Sequence, residues 1–547
     1  MMHRARGLPL IPENHPAACR KLARKFITCR LQIEVSGTHR IACGKTQATP
    51  APNLIESRQP ERAPPAHGIT PANLDCRMPR QILIPLIVAC ALFMENMDST
   101  VLATALPAIA NGLGENPLAL KLALTAYLVA LAIFIPISSW VADRYGSRTI
   151  FAAAIVVFMG GSLLCAVSGT LPAFVLARFV QGIGGAMMVP VGRLVLLKTV
   201  PKSGLIVAMN YLTIPALIGP IMGPPLGGLI AQYFNWRGIF LINVPISILG
   251  LGLVLRHIPN IRETALPPLD LRGFVLLGIG LSLLMLGLSA LGGHLLPGGA
   301  TAACMALGGL FLCAYAWHAK RVSAPLLDLG LLRYPTFRAG IVGGSLFRIG
   351  IGATSFLLPL LLQLGFGLDP FHSGLITCTT ALGAMFMKTL TVTILRRRGF
   401  RQVLMVNALI ASAMTAVYGL FTATTPQLLI VAILILSGCL RSLQFTALNV
   451  VTFAEIGKEA MSQASSLSSM LQRLAQSLGV AVGAYALEIS SALQGHGEIV
   501  AADFWPAFVT IAIVSAVSVF WNTRLPADAG AELSGHKGKD TRGAPPP

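Results

Sequence analysis

Glu95 and Asp98 lie three residues apart in an otherwise apolar block, so on a helix they share one face. A carboxylate at mid-bilayer depth is expensive, and two close together each favour the protonated form in the other. Such a pair has the physics of a site that takes up and releases protons. A structural hydrogen bond to a neighbouring helix would use the same residues. Arg178 sits inside a second apolar block, with Gln181 one turn on. An arginine there needs an acidic partner or a water-filled cavity. Arg348, Arg441 and Arg473 lie well inside later blocks, whereas Lys388 is near enough to a block end to snorkel. Glu488 is the one further candidate for a buried acid, so a substrate cavity that Gln181, Arg348, Arg441 and Arg473 faced would not be strongly acidic. An anionic or zwitterionic ligand would suit it. The ten cysteines include no CxxC pair or His/Cys cluster, which predicts neither a metal site nor a disulfide framework. No Gly-x-x-x-x-Gly-Lys phosphate loop and no nucleophile–base constellation accompany the buried charges, so no cofactor and no enzyme activity are expected.

The elements that must position these groups follow from composition. The 547 residues are 54% hydrophobic and 11% charged, where soluble domains carry about 25% charged residues. Apolar residues come in blocks of about 20, the length that crosses a bilayer as a helix. Inside lipid the backbone has to satisfy itself, so the blocks must be helices and the chain an all-α polytopic membrane protein. Fourteen blocks are expected, from 82–110 to 505–523, with the least charged pair, 272–292 and 300–318, midway. The net charge of +20 does not indicate nucleic-acid binding, because the basic residues sit in an N-terminal tail and at alternate helix ends. Arg144, Arg148, Lys198, Lys202, Arg256, Arg262, Arg396, Arg397, Arg398 and Lys458 gather on one side, while the other offers Lys121 and Arg237. Positive loops stay inside, which places both termini in the cytoplasm. Residues 1–80 are basic and then Pro-rich, without a signal-peptide pattern. They read either as a disordered tail or as sequence preceding a start at Met78.

Four stretches resemble a known family. Residues 139–148, Ser-Trp-Val-Ala-Asp-Arg-Tyr-Gly-Ser-Arg, place Asp143, Arg144, Gly146 and Arg148 in a turn too short to leave the membrane surface. The turn resembles the loop between helices 2 and 3 of major facilitator superfamily transporters, where the Asp and Arg latch neighbouring helices on the cytoplasmic side. Ser139 stands where glycine is usual, and Ser147 and Thr149 replace basic residues. Residues 94–109 resemble the first-helix motif, with Asp98, Thr100, Val101 and Ala105-Leu106-Pro107 in place and departures at Met97 and Thr104. Residues 177–186 resemble the fourth-helix motif, which implies that Arg178 takes part in proton transfer with Gln181 as its polar neighbour. A purely structural arginine is the alternative. Gly219, Pro220, Gly223, Pro224, Gly227 and Gly228 match the antiporter motif that marks exporters, a kinked helix able to act as hinge or seal. A generic packing helix is the alternative there.

Residues 235–245 and the stretch around Gln472-Arg473 are similar to the fourteen-helix drug:proton antiporter branch, of multidrug resistance type, and Trp236 suits an interfacial anchor. The resemblance spans residues 82–523. It implies a major facilitator fold: a six-helix bundle over 81–257, two extra helices over 258–320, a second bundle over 321–524 and a cytoplasmic tail over 525–547. The function implied is proton-coupled export of small amphiphilic molecules or drugs across the cytoplasmic (inner) membrane by alternating access. The partners would be a small-molecule substrate, protons and membrane lipid, without nucleic acid; a periplasmic adaptor is left open. A dedicated exporter of one metabolite, such as an organic acid or siderophore, and a membrane sensor that transports nothing are the alternatives.

Overall fold

The computed structural model describes residues 80–199, 205–263, 268–291, 296–457, 460–495 and 499–526. The readings made for residues 1–79 and 527–547 lie outside them. Among the described residues the chain is helical, with no strand. Each apolar block becomes a helix. The first six are α1 (Arg80–Leu113), α2 (Lys121–Tyr145), α3 (Ser147–Val167), α4 (Leu171–Thr199), α5 (Leu205–Tyr233) and α6 (Asn243–His257), the last entered through a single turn at Gly238–Leu241. Two follow as α7 (Leu271–Ser289) and α8 (Gly298–Ala319). The last six are α9 (Pro335–Leu360), α10 (Pro370–Arg398), α11 (Phe400–Tyr418), α12 (Gln427–Thr452), α13 (Met461–Gln494) and α14 (Phe504–Asn522). Twelve of these stretches are long and apolar enough to cross a bilayer, and α5 and α13, of 29 and 34 residues, complete the set.

The packing repeats. In the first six helices α1 packs on α5, α2 on α4, and α3 on α4 and α6; in the last six α9 packs on α13, α10 on α12, and α11 on α12 and α14. The two sets meet where α5 lies against α10 and α13 lies against α2. The fifth helix of each set therefore packs on the second helix of the other, as an internal two-fold repeat requires. Helices α7 and α8 pack on each other, and α7 touches both α2 and α13.

The alternating helices define two ends, one carrying Asp143 and the other Asp369. Toward the Asp369 end a single apolar cluster joins both sets, including Leu106, Phe174 and Phe240 with Phe356, Leu487 and Phe508. Toward the Asp143 end each set has a cluster of its own, Val88, Phe151 and Val195 in one and Phe400, Leu404 and Val451 in the other, and a third cluster bridges the sets along one flank through α7, from Ile133 of α2 to Leu467 of α13. Polar clasps reinforce the joined end. Lys121 of α2 pairs with Glu488 of α13 at 2.7 Å, and the Gln363 amide donates to the Thr104 carbonyl at 2.8 Å.

The glycine–proline stretch of α5 is the seam on which this joint is built. Gly219, Gly223 and Gly227 recur every four residues and so share a face. That face presses on α1: a Cβ at Gly223 would collide with the Thr100 hydroxyl, and one at Gly227 with the Val101 carbonyl. Gly228 faces the other way, where a Cβ would strike the Pro370 carbonyl of α10; Gly374 of α10 meets the Pro224 carbonyl in return. Pro220 and Pro224 turn toward the interior. Trp236, expected at a membrane interface, is buried instead. It packs edge-on against Phe174 and Phe240, with the Arg237 guanidinium 4.4 Å from its ring and Gly112 giving it room.

Backbone atoms cannot move aside as a flexible side chain can, so Gly228→Ala is expected to cost about 1–3 kcal/mol. Gly160→Ala, which meets open space, is expected to cost nothing. Melting temperatures of the two variants in detergent check this; equal melting would mean the α5–α10 contact is looser than described.

Candidate functional site

Asp98 and Arg178 meet in the interior of the first six helices. Arg178 Nη1 donates to Asp98 Oδ2 at 2.7 Å, with both side chains at 0% exposure. Four helices supply the surroundings. Gln181, one turn beyond Arg178 on α4, accepts from the same guanidinium nitrogen and donates through Nε2 to Asp98 Oδ1 at 2.8 Å and to Ser162 Oγ of α3 at 2.8 Å. Asn243, the first residue of α6, donates to Asp98 Oδ1 at 2.9 Å and to Ser162 Oγ at 3.2 Å. The Tyr127 ring lies 4.4 Å from the guanidinium carbon and provides a cation–π face. Arg178 Nε and Nη2 have no hydrogen-bond partner among the described residues. The carboxylate is thus crowded with donors while its arginine keeps spare ones. Losing the charge on Asp98 would leave that guanidinium, itself 0% exposed, without its counter-ion.

Glu95, one turn before Asp98, is paired differently. It accepts from Arg473 Nη2 of α13 at 2.9 Å, a bond that links the first set of helices to the last. Glu95 is 2% exposed and its second oxygen has no hydrogen-bond partner among the described residues, whereas Arg473 is 25% exposed. The reason for that exposure is a cavity of about 440 Å³ between the two sets, walled by Arg178, Arg441 and Arg473 together with Asn96, Tyr127 and Gln476.

Of the four residues expected to face a substrate cavity, Arg441 and Arg473 line it, and Gln181 and Arg348 do not. Gln181 is buried behind Arg178. Arg348 is turned toward α12, donating to Asn449 Oδ1 at 3.1 Å with its guanidinium 5.4 Å from the Phe445 ring. Asn243, Ser162 and the Lys121–Glu488 pair were not anticipated. Asn243 lies in the Ile-Asn-Val-Pro stretch, which offered a signal; a lone serine in a helix offers none.

At the Asp143 end the charged turn is shaped by Gly146. Its φ of 104° is unfavourable for other residues, and a Cβ there would strike Asn260. The segment after α6 braces the turn: Ser147 N–H donates to the Ile261 carbonyl at 3.0 Å, and Glu263 N–H to the Asp143 carbonyl at 2.9 Å. The ion-pair partner of Asp143 is not the neighbouring Arg144. Adjacent residues on a helix do not face each other, and Arg144 is exposed and Arg148 half-buried. Lys198, at the end of α4, instead lies 2.7 Å from both Asp143 Oδ1 and Glu263 Oε1. Partial burial works against the lysine charge, but the two carboxylates outweigh it and hold Lys198 above the ordinary lysine value.

Breaking a buried pair by removing one partner costs about 3–5 kcal/mol, because the other charge is left uncompensated. Asp98→Asn is therefore expected to melt well below wild type in detergent, and Asp98→Asn combined with Arg178→Gln is expected to recover most of the loss. Equal melting of the single and double variants would show that the two charges are not coupled.

A family model described as Major Facilitator Superfamily matches residues 88–480. The "Putative multidrug resistance protein MdtD" of Yersinia enterocolitica is 37% identical over 450 residues, covering 81% of this chain and 95% of the relative. The protein of the same name from Escherichia coli strain 55989 is 38% identical over 447 residues, covering 81% and 94%. Among solved structures, a D-xylose-proton symporter matches with a TM-score of 0.59 at 14% identity, over 82% of this chain and 98% of that one. The human organic anion transporter MFSD10 (TETRAN) matches with a TM-score of 0.54 at 14% identity, over 81% and 100%. At that identity the structural likeness speaks for the fold alone. The repeated six-helix packing and a family match over most of its length together show that this chain belongs to the Major Facilitator Superfamily.

Proposed function

We propose that this protein exports small amphiphilic molecules across the cytoplasmic membrane in exchange for protons, by alternating access to the central cavity. The observation that carries the reading is the Asp98–Arg178 pair: fully buried, yet touching the cavity through Arg178. Intramembrane ionisable pairs mark ion and proton pathways because burying them is otherwise a net cost. Export as the direction is supported by the glycine–proline seam of α5 and by the names of the bacterial relatives.

The excess of Lys and Arg in its loops supports reading the Asp143 end as cytoplasmic. On that reading the joined Asp369 end is the closed outer face. A proton arriving on Asp98 removes its charge, so Arg178 loses its counter-ion and Gln181 and Asn243 lose an anionic acceptor. A neutral cluster becomes a cationic one, and the strain is relieved by re-pairing Arg178 as the two sets of helices move. Opening outward then requires Lys121 to leave Glu488 and the α5–α10 seam to part, with the six-helix sets moving as units. The Asp143–Lys198–Glu263 clasp keeps α2, α4 and the segment after α6 together during that motion. Substrate and proton use the changed states in turn, which couples their opposite movements.

Efflux assays in inverted membrane vesicles test this, using a panel of fluorescent dyes with and without an imposed pH gradient. Gradient-dependent dye movement is expected for wild type and is expected to fall at least tenfold in Asp98→Asn protein of confirmed folding. Dye movement indifferent to the gradient, or unaffected by Asp98→Asn, would overturn proton coupling at this site.

A further inference from the structure

Three guanidinium groups reach the cavity, and two of them are already neutralised. Arg178 has Asp98 at 2.7 Å and Arg473 has Glu95 at 2.9 Å. Arg441 differs. It projects from α12 beside the Tyr418 hydroxyl, and among the described residues no carboxylate pairs with it. No Asp or Glu is among the described residues that line the cavity. One unit of positive charge therefore faces a chamber whose remaining wall is largely apolar, from Leu124 and Leu128 on one side to Phe356 and Leu358 on the other. Gln476 and Asn96 add amide groups to that wall.

An unpaired cation held away from bulk water is costly, and the cost falls when a counter-charge enters. Arg348, also buried and without a carboxylate partner among the described residues, is excluded from the role because it is turned away from the chamber onto Asn449 and Phe445. A volume of about 440 Å³ lies within the range of sites for drug-sized ligands. A lipophilic cation would meet three arginines and no accessible acid there.

We propose that the chamber takes a small amphiphilic organic anion, whose acidic group pairs with Arg441 while its apolar body lies against Leu124, Phe356 and Leu358. The inference rests on the chamber being the transport site of the function proposed above. Binding can nevertheless be measured without transport. Arg441 is a specificity-determining residue in this account, separate from the proton-linked Asp98 and Glu95.

The test uses the full chain purified in neutral detergent, with fluorescein as an anionic probe and rhodamine 6G as a cationic probe of similar ring system. Fluorescence anisotropy is expected to show saturable fluorescein binding at least tenfold tighter than that of rhodamine 6G. Arg441→Gln is expected to weaken fluorescein binding at least tenfold, and Arg441→Lys to retain most of it. The melting temperature of wild type should rise with added fluorescein, and that of Arg441→Gln should not. Tighter binding of rhodamine 6G, no saturable fluorescein binding, or unchanged affinity in Arg441→Gln would overturn the proposal. Should Arg441→Gln fail to fold, the probe preference of wild type and the behaviour of Arg441→Lys still decide it. Arg441-dependent fluorescein binding without gradient-driven dye movement would leave the ligand class standing and remove proton coupling. Gradient-driven rhodamine 6G export unaffected by Arg441→Gln would do the reverse.

Discussion

Inside the first six helices a carboxylate and a guanidinium sit 2.7 Å apart with neither exposed to solvent. Desolvating two ions is offset only when the geometry is close and the remaining lone pairs find donors. That requirement explains why four helices converge on one point: α1 brings Asp98, α3 brings Ser162, α4 brings Arg178 and Gln181, and α6 brings Asn243. It also explains the glycines around it. A Cβ at Gly161 would run into the Gln181 backbone, and one at Gly184 into Phe158 of α3, so small residues set the α3–α4 distance that lets the network close.

The two sets of helices are tied unequally along their length. Apolar packing and the Lys121–Glu488 pair join them at the Asp369 end, while toward the Asp143 end each keeps a core of its own and they meet along the flank where α7 lies between α2 and α13. The α5–α10 seam lies at the joined end and combines close backbone contacts at Gly228 and Gly374 with the edge-on ring pair Tyr233–Phe371. Backbone-to-backbone packing across small residues involves few side-chain rearrangements on parting, which suits a contact that has to form and separate. The cavity, with Arg441 and Arg473 contributed by one set and Arg178 by the other, lies between these ends.

Much of this is legible in the sequence. Apolar blocks of bilayer length can only be helices in lipid, so fourteen of them were readable from composition. That Arg178 needs an acid was readable from its position in an apolar block. Which acid it takes was not, since Glu95 and Asp98 share a face and the rotation of α1 decides between them. Lys121 and Lys198 looked like ordinary loop charges, yet each ends a helix where a carboxylate from a distant segment, Glu488 or Glu263, comes within 2.7 Å. Arg348 and Arg441 are alike in sequence context, and helix rotation alone sends one to Asn449 and the other to the cavity. Trp236 was misread because tryptophans favour membrane interfaces, whereas here Gly112 leaves a slot that buries it.

Proton-coupled export by this protein requires Asp98 to carry a proton that moves against the substrate. The most direct test is the internal pH of proteoliposomes while a transported dye runs down its own gradient with no pH difference imposed. Wild type is predicted to move protons in the direction opposite to the dye, and Asp98→Asn to move none. Dye movement without proton movement in wild type, or undiminished proton counter-movement in Asp98→Asn, would contradict it.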